Sequence, residues 1–267
     1  MTGTAAVLVR RVPDPSRLNV DRKTGRLVLE GTPFILNPVD LQALELALRT
    51  RERYGHRVVV VSVDHTGAQT ELHEALAMGA DEAVLVSDPQ FEDTDPTTQA
   101  HLFRAALERF VHPEIVFAAS RSIDHTWSTI GPQLAYLLGW PLVIEAEELD
   151  LEDDGVKALA HTGDHRARVQ AKLPCVVSVA RGVITPRHAT SWGIADAFDP
   201  HRLTVKTFAD LGLGAEAAER LHAATSVRRV ALAPTERDRR VIDGDADEVA
   251  RVLARRLIDK GWGGRRP

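Results

Sequence analysis

Residues 57–87 read RVVVVSVDHTGAQTELHEALAMGADEAVLVS, and this stretch decides the fold. The run VVVVSV at 58–63 breaks at Asp64-His65-Thr66-Gly67, residues 69–78 form a helix that stops at Gly79, and EAVLVS follows at 82–87. Neither strand alternates polar with apolar residues, so neither has a face to give to water. Strands apolar on both faces belong to parallel sheets covered by helices.

The same pattern continues outward in both directions. AAVLV at 5–9 is a strand feeding the loop Arg10–Pro15, where Pro13 and Pro15 stop both ladder and helix. Residues 18–29 alternate around Lys23-Thr24-Gly25 as a hairpin does. Asn37-Pro38-Val39-Asp40 opens a helix with Leu41, Leu44, Leu46 and Leu48. A helix at 97–111, a strand at 114–120, a helix at 127–138 and a strand from Pro141 follow. Residues 145–154 hold seven acids in ten and read as a solvated strand end and turn. A second hairpin is expected at 156–173, before the apolar strand at 174–180.

The expected fold is therefore α/β: a doubly wound, mainly parallel sheet with two hairpin excursions, occupying residues 1–200 as one nucleotide-site domain. Residues 201–267 show little sheet pattern, are punctuated by Leu211-Gly212-Leu213-Gly214, Pro234 and Gly244, and end in a helix from about Asp245 to Asp259. A segment that cannot build its own core lies against something else, so this is read as a C-terminal arm on a partner subunit. The basic residues Arg251, Arg255, Arg256, Lys260, Arg265 and Arg266 complement the dipole of that terminal helix.

Composition excludes several classes. A net charge of −5 is the wrong sign for a nucleic-acid binder. No apolar run approaches the roughly 20 residues needed to cross a bilayer, and the N-terminus lacks the pattern of a signal peptide. The single cysteine, Cys175, precludes an internal disulfide or a cysteine-based metal site. A cytoplasmic protein without a metal is expected.

Ligands of doubly wound sheets sit beyond the carboxyl ends of the strands, where the strand order reverses. The loops 10–15, 62–67 and 120–129 leave such ends, and the last two echo one another as Val63-Asp64-His65-Thr66 and Ile123-Asp124-His125-Thr126. Thr126, Ser128 and Thr129 stand at a helix start, where hydroxyls and unpaired N–H groups either hold a phosphate or simply cap the helix. Asp124, His125 and Ser128 have the residue types of a hydrolase triad, but there is no G-x-S-x-G elbow. G-x-G-x-x-G and Walker loops are also absent. His161 and His165 lie on a hairpin, where their spacing does not put them on one face. The residues alone define an α/β nucleotide-site candidate.

Ordered segments along the whole chain narrow this further. They include Val9-Arg10-Arg11-Val12-Pro13-Asp14, Leu36-Asn37-Pro38-Val39-Asp40, Ala75-Leu76-Ala77-Met78-Gly79-Ala80-Asp81, Ser122-Ile123-Asp124, Gly131-Pro132-Gln133-Leu134-Ala135, Lys172-Leu173-Pro174-Cys175 and Pro186-Arg187-His188-Ala189-Thr190. In this order and spacing the chain resembles the β subunits of electron-transfer flavoproteins, and the arm resembles the branch that contains flavin-bifurcating members. The resemblance implies an α/β heterodimer and a carrier, not an enzyme by itself. It implies an FAD held mainly by the α subunit, reduced by a flavin-dependent dehydrogenase and oxidised by a downstream acceptor. It also implies a β pocket that holds AMP in ordinary members and a second FAD in bifurcating ones. The matching cofactor-binding positions are Leu8, Arg10, Asn37 and Asp40, then Val63 and Ser120, then Asp124, Thr126, Ser128, Thr129 and Ile130. Partner docking falls to Ser191 and Trp192, with serine where the family carries a leucine anchor. Arg121, Trp127 and Thr129 replace small or amide-bearing residues of the family and favour an adenine nucleotide over a second flavin. The rival readings are a nucleotide-binding regulatory module with the same fold and no redox role, and a small-molecule hydrolase.

Overall fold

The computed structural model describes residues 3–21, 23–24, 27–65, 67–91, 94–124, 128–152, 154–214, 225 and 241–262. The chain divides into two compact units, Met1–Val230 and Ala231–Pro267.

In the first unit β1 (Thr4–Leu8) leads to the short strands β2 (Arg11–Pro13), β3 (Asn19–Val20), β4 (Leu27–Val28) and β5 (Phe34–Leu36). Next come α1 (Pro38–Tyr54), β6 (Arg57–Asp64), α2 (Gln69–Met78), β7 (Glu82–Ser87), α3 (Pro96–Ala106), β8 (Ile115–Ala119) and α4 (Ile130–Leu138). The strands β9 (Leu142–Leu151), β10 (Gly155–Thr162), β11 (His165–Lys172) and β12 (Cys175–Val179) precede α5 (Ser191–Ala197) and β13 (Leu203–Lys206).

Among the described residues one sheet of nine strands runs β11-β10-β9-β12-β8-β1-β6-β7-β13. From β9 through β13 in that order, all neighbours are parallel. Only the β10–β11 hairpin runs antiparallel. The expected α/β fold with a mainly parallel sheet is observed, and β2–β5 and β3–β4 form the first hairpin excursion. Leu203–Lys206, beyond residue 200, adds the edge strand beside β7.

The apolar runs have a simple cause. Val58 and Val60 of β6 enter the core on one face of the sheet, whereas Val59, Val61 and Val63 enter the core on the other. Successive side chains alternate faces, and both faces are covered, so every position must be apolar. Glycine in the left-handed region closes α1, α2 and α4, at Gly55 (φ 81°), Gly79 (φ 119°) and Gly139 (φ 69°).

Two boundaries differ from expectation. The helix expected at 97–111 is α-helical to Ala106 and then π-helical over Leu107–Val111, where it ends at His112 in the left-handed region (φ 50°). Pattern reading does not detect this, because a π turn keeps the same apolar face for one extra residue. The helix expected from 127 begins at Ile130.

The second unit contains α6 (Ala246–Asp259), capped by Asp245, whose carboxylate accepts from the Glu248 N–H at 2.8 Å. None of its residues is buried, and Leu253, Leu257 and Ile258 are exposed. No helix among the described residues is long and apolar enough to cross a membrane.

Candidate nucleotide site

From β1 the chain builds β6 and β7 on one side, then crosses to lay down β8 on the other. The order therefore reverses at β1, and the crevice lies beyond the carboxyl ends of β1, β6 and β8. The residues Arg10, Asp64 and Ser120, at or just past those ends, are the floor of the site.

Arg10 is locked in place by α1. Its N–H donates to Asp40 Oδ2 at 2.8 Å, and its carbonyl accepts from the Asn37 N–H at 2.9 Å. Its guanidinium pairs with Asp124 Oδ2 at 3.0 Å. Asn37 Nδ2 donates to Asp40 Oδ1 at 2.9 Å and to the Arg121 carbonyl at 3.2 Å. Two amide groups thus hold the Asp40 carboxyl, which is 5% exposed. Burial pushes it up to about 7, against the lowering influence of the Arg10 charge and those hydrogen bonds.

Leu8, Arg10, Asn37, Asp40 and Ile130 come together around a small recess of about 30 Å³. Phe103, Ala118, Ala119, Arg121 and Ser122 complete its wall. Of these five, sequence reasoning had singled out Arg121 as shaping the pocket; Ser122 had a signal, being next to Asp124, and Phe103, Ala118 and Ala119 had none. Phe103 arrives because α3 packs over β6. Asn37 Oδ1, Ser120 Oγ and Ser122 Oγ are buried and have no hydrogen-bond partner among the described residues. Leaving such a group unsatisfied costs about 1–3 kcal/mol. A polar ligand group entering the recess, whose wall includes Asn37 and Ser122, would remove that cost at those two residues.

Arg10 also borders a wider cleft of about 590 Å³. Val63 and Asp124 lie in its wall with Phe34, Phe91 and Ile123, and the first hairpin excursion adds Leu18, Leu27 and Leu29. Its polar side carries Arg11, whose guanidinium stacks 4.4 Å from the centre of the Phe34 ring and pairs with Asp64 at 3.4 Å. Apolar walls beside one cationic edge suit a flat aromatic ring system.

Ser128 and Thr129 precede α4 and are exposed, and the Thr129 side chain accepts no capping hydrogen bond. Thr126, His125 and Trp127 lie outside the described residues. The Asp124 carboxylate of the supposed triad is engaged by Arg10. His161 bonds to Glu147 across the β9–β10 ladder, while His165 stands at the far end of β11. Burial pushes the Cys175 thiol up to about 12, which leaves it unreactive. Ser191 and Trp192 open α5, and Trp192 is 84% exposed.

A recess and a wider cleft meet here at the switch point of a doubly wound sheet, which is where folds of this class hold their ligands. The electron transfer flavoprotein domain matches residues 24–209. The electron transfer flavoprotein subunit beta of Thermoanaerobacterium thermosaccharolyticum is 33% identical over 251 residues, covering 94% of this chain and 96% of its own. Subunit CarD of the caffeyl-CoA reductase-Etf complex of Acetobacterium woodii is 33% identical over 258 residues, 95% of this chain and 97% of its own. Protein FixA of Azorhizobium caulinodans is 28% identical over 253 residues, with 91% and 89% covered. The chain belongs to the electron-transfer flavoprotein family, among its β subunits, and is an electron-transfer protein. These relatives support that reading over the regulatory module and the hydrolase.

Proposed function

We propose that this chain is the β half of an α/β heterodimer that takes electrons from a flavin-dependent dehydrogenase and passes them to a downstream acceptor. It acts as a carrier and catalyses nothing alone. An FAD held chiefly by the α subunit supplies the one- and two-electron chemistry. The observation that carries this reading is the pair of spaces meeting at Arg10: a small recess where buried oxygens of Asn37 and Ser122 lack a partner among the described residues, and a wider cleft beside it.

In this reading an adenine nucleotide, AMP, lies in the cleft beside Arg10, Val63 and Asp124, with a polar group reaching Asn37 and Ser122 in the recess and Ser120 at the strand end beside them. The loop 124–130, with Asp124, Thr126, Ser128, Thr129 and Ile130, borders its phosphate, and Leu8 and Val63 exclude water from the two spaces. The cleft wall of Phe34, Val63 and Phe91 faces the shared flavin. Of the arm 201–267, Leu203–Lys206 joins this chain's own sheet, and α6, with its exposed apolar residues, packs on the α subunit. Ser191 and Trp192 of α5 meet the dehydrogenase, Trp192 serving as anchor. One relative is named for its complex with a caffeyl-CoA reductase, which supports an oxidoreductase of acyl-CoA type as the partner here.

The test is co-expression with the α subunit, followed by a visible spectrum and a count of nucleotides released on denaturation. One FAD and one AMP per heterodimer are expected, with the flavin bleached by an acyl-CoA dehydrogenase and its substrate. A colourless complex refutes the carrier reading, and two FAD per heterodimer refute the AMP assignment.

A further inference from the structure

Helix α5 has only seven residues and buries only Ala197, so it cannot hold its own place. Three contacts hold it. A Cβ on Gly193 would lie 2.3 Å from the Ala77 carbonyl oxygen, so the α5 backbone rests directly on the end of α2. The Arg202 guanidinium reaches Asp196 on α5 and the Ala80 and Asp81 carbonyls beyond α2. The third contact is Arg187, which precedes the N-cap Thr190.

Arg187 spends its whole donor set on α1. Its N–H and Nε donate to Glu45 Oε2 at 3.1 and 2.8 Å, Nη2 to Glu45 Oε1 at 3.2 Å, and Nη1 to Glu52 Oε1 at 2.5 Å. Glu45 is 3% exposed and Glu52 lies at the surface. A buried ion pair adds little net stability over apolar side chains of the same size. What a guanidinium gripping a carboxylate by two prongs does supply is a fixed direction. The direction fixed here is that of a helix that presents Trp192, Ile194 and Phe198 outward, with Phe198 stacked on His73 at 4.5 Å.

We infer that Arg187 is a positioning residue for electron-donor docking: by gripping Glu45 and Glu52 it holds α5 with the Trp192 face already in its docking orientation. The inference rests on the docking role proposed above for Ser191 and Trp192. A face ordered beforehand has less motion to lose on association, so its loss shows as weaker half-saturation and not as slower transfer.

The experiment uses the heterodimer, with a nitroxide on Ala195→Cys of α5 for mobility and unlabelled protein for kinetics, since this chain's buried Cys175 does not compete for the label. Label mobility, thermal midpoint and the kinetics of reduction by an acyl-CoA dehydrogenase with its acyl-CoA are compared across variants. Arg187→Ala is expected to free the label and raise the half-saturating heterodimer concentration about tenfold, with kcat and flavin spectrum unchanged. Arg187→Lys, which keeps the charge without the fork, should recover part of the loss. Glu52→Gln removes only the surface prong and serves if Arg187→Ala folds poorly; it should shift both readouts the same way, more weakly. An immobile label in Arg187→Ala overturns the inference, and so does a mobile label with unchanged half-saturation when Trp192→Ala weakens docking. If Trp192→Ala is itself silent, the docking reading has failed and takes this inference with it.

Discussion

Asp40 is the residue at which local chemistry and burial are most at odds. As an acid in the first turn of α1 it suits the helix dipole and accepts two hydrogen bonds, yet burial raises it to about 7. The folded state therefore holds a proton that the unfolded chain releases near 3.8, and stability must fall as the pH rises between those values. The loss is at most roughly 4 kcal/mol, complete above the folded value. Asp40→Asn does not titrate, so its stability relative to the native chain should improve steadily up to about pH 7 and then level off. Urea midpoints across that range check this, and parallel curves for the two proteins contradict it. Trp192 poses the opposite problem, a large side chain left 84% exposed. Burying such a side chain in a partner contributes about 1.5–3 kcal/mol. Trp192→Ala should therefore slow electron transfer from the dehydrogenase at sub-saturating concentration by about ten- to a hundredfold, with heterodimer stability unchanged. A rate loss matched by unfolding would mean instead that Trp192 packs against its own complex.

Strands and long helices were legible because their signals are local. The apolar runs at 58–63 and 82–87, and the glycine stop after α2, appear in the structure almost residue for residue. The element the pattern did not reveal is α5, whose Ser191–Ala197 segment has no apolar stripe to bury and is kept in place by Gly193, Arg187 and Arg202 acting from outside it. A prediction belongs here. Gly193→Ala forces a methyl against the Ala77 carbonyl, a backbone atom that cannot step aside, so α5 must lift from α2. Overpacking of this kind costs about 1–3 kcal/mol. Denaturant unfolding should show the loss, and amide exchange should quicken over residues 190–198 while β1, β6 and β8 stay protected. Unaltered exchange in that segment would argue that α5 is seated by something other than this contact.

For the whole molecule, the decisive expectation concerns what one subunit can do alone. The cleft is open on one side, and its apolar hairpin residues Leu27 and Leu29 are exposed. The isolated chain should consequently retain AMP at best and no FAD through gel filtration, whereas the heterodimer keeps its flavin. Stoichiometric flavin on the chain by itself would contradict the division of labour between subunits. The sequence by itself determined most of the core strands and long helices, the parallel character of the sheet and three of the loops that end beside the site, because periodicity, turn residues and two-sided burial are written in neighbouring positions. It also carried the family, through ordered segments spread along the chain. Only the tertiary structure decided that β8 lies on the far side of β1 from β6, and hence that Leu8, Asn37, Phe103, Ser122 and Ile130 share one cavity. Strand order is set by which crossovers bury the most surface across the whole sheet, and no local pattern records that choice. The same holds for Arg187: its charge is plain in the sequence, but its partners on α1 exist only once the last parallel strands have brought the two segments together.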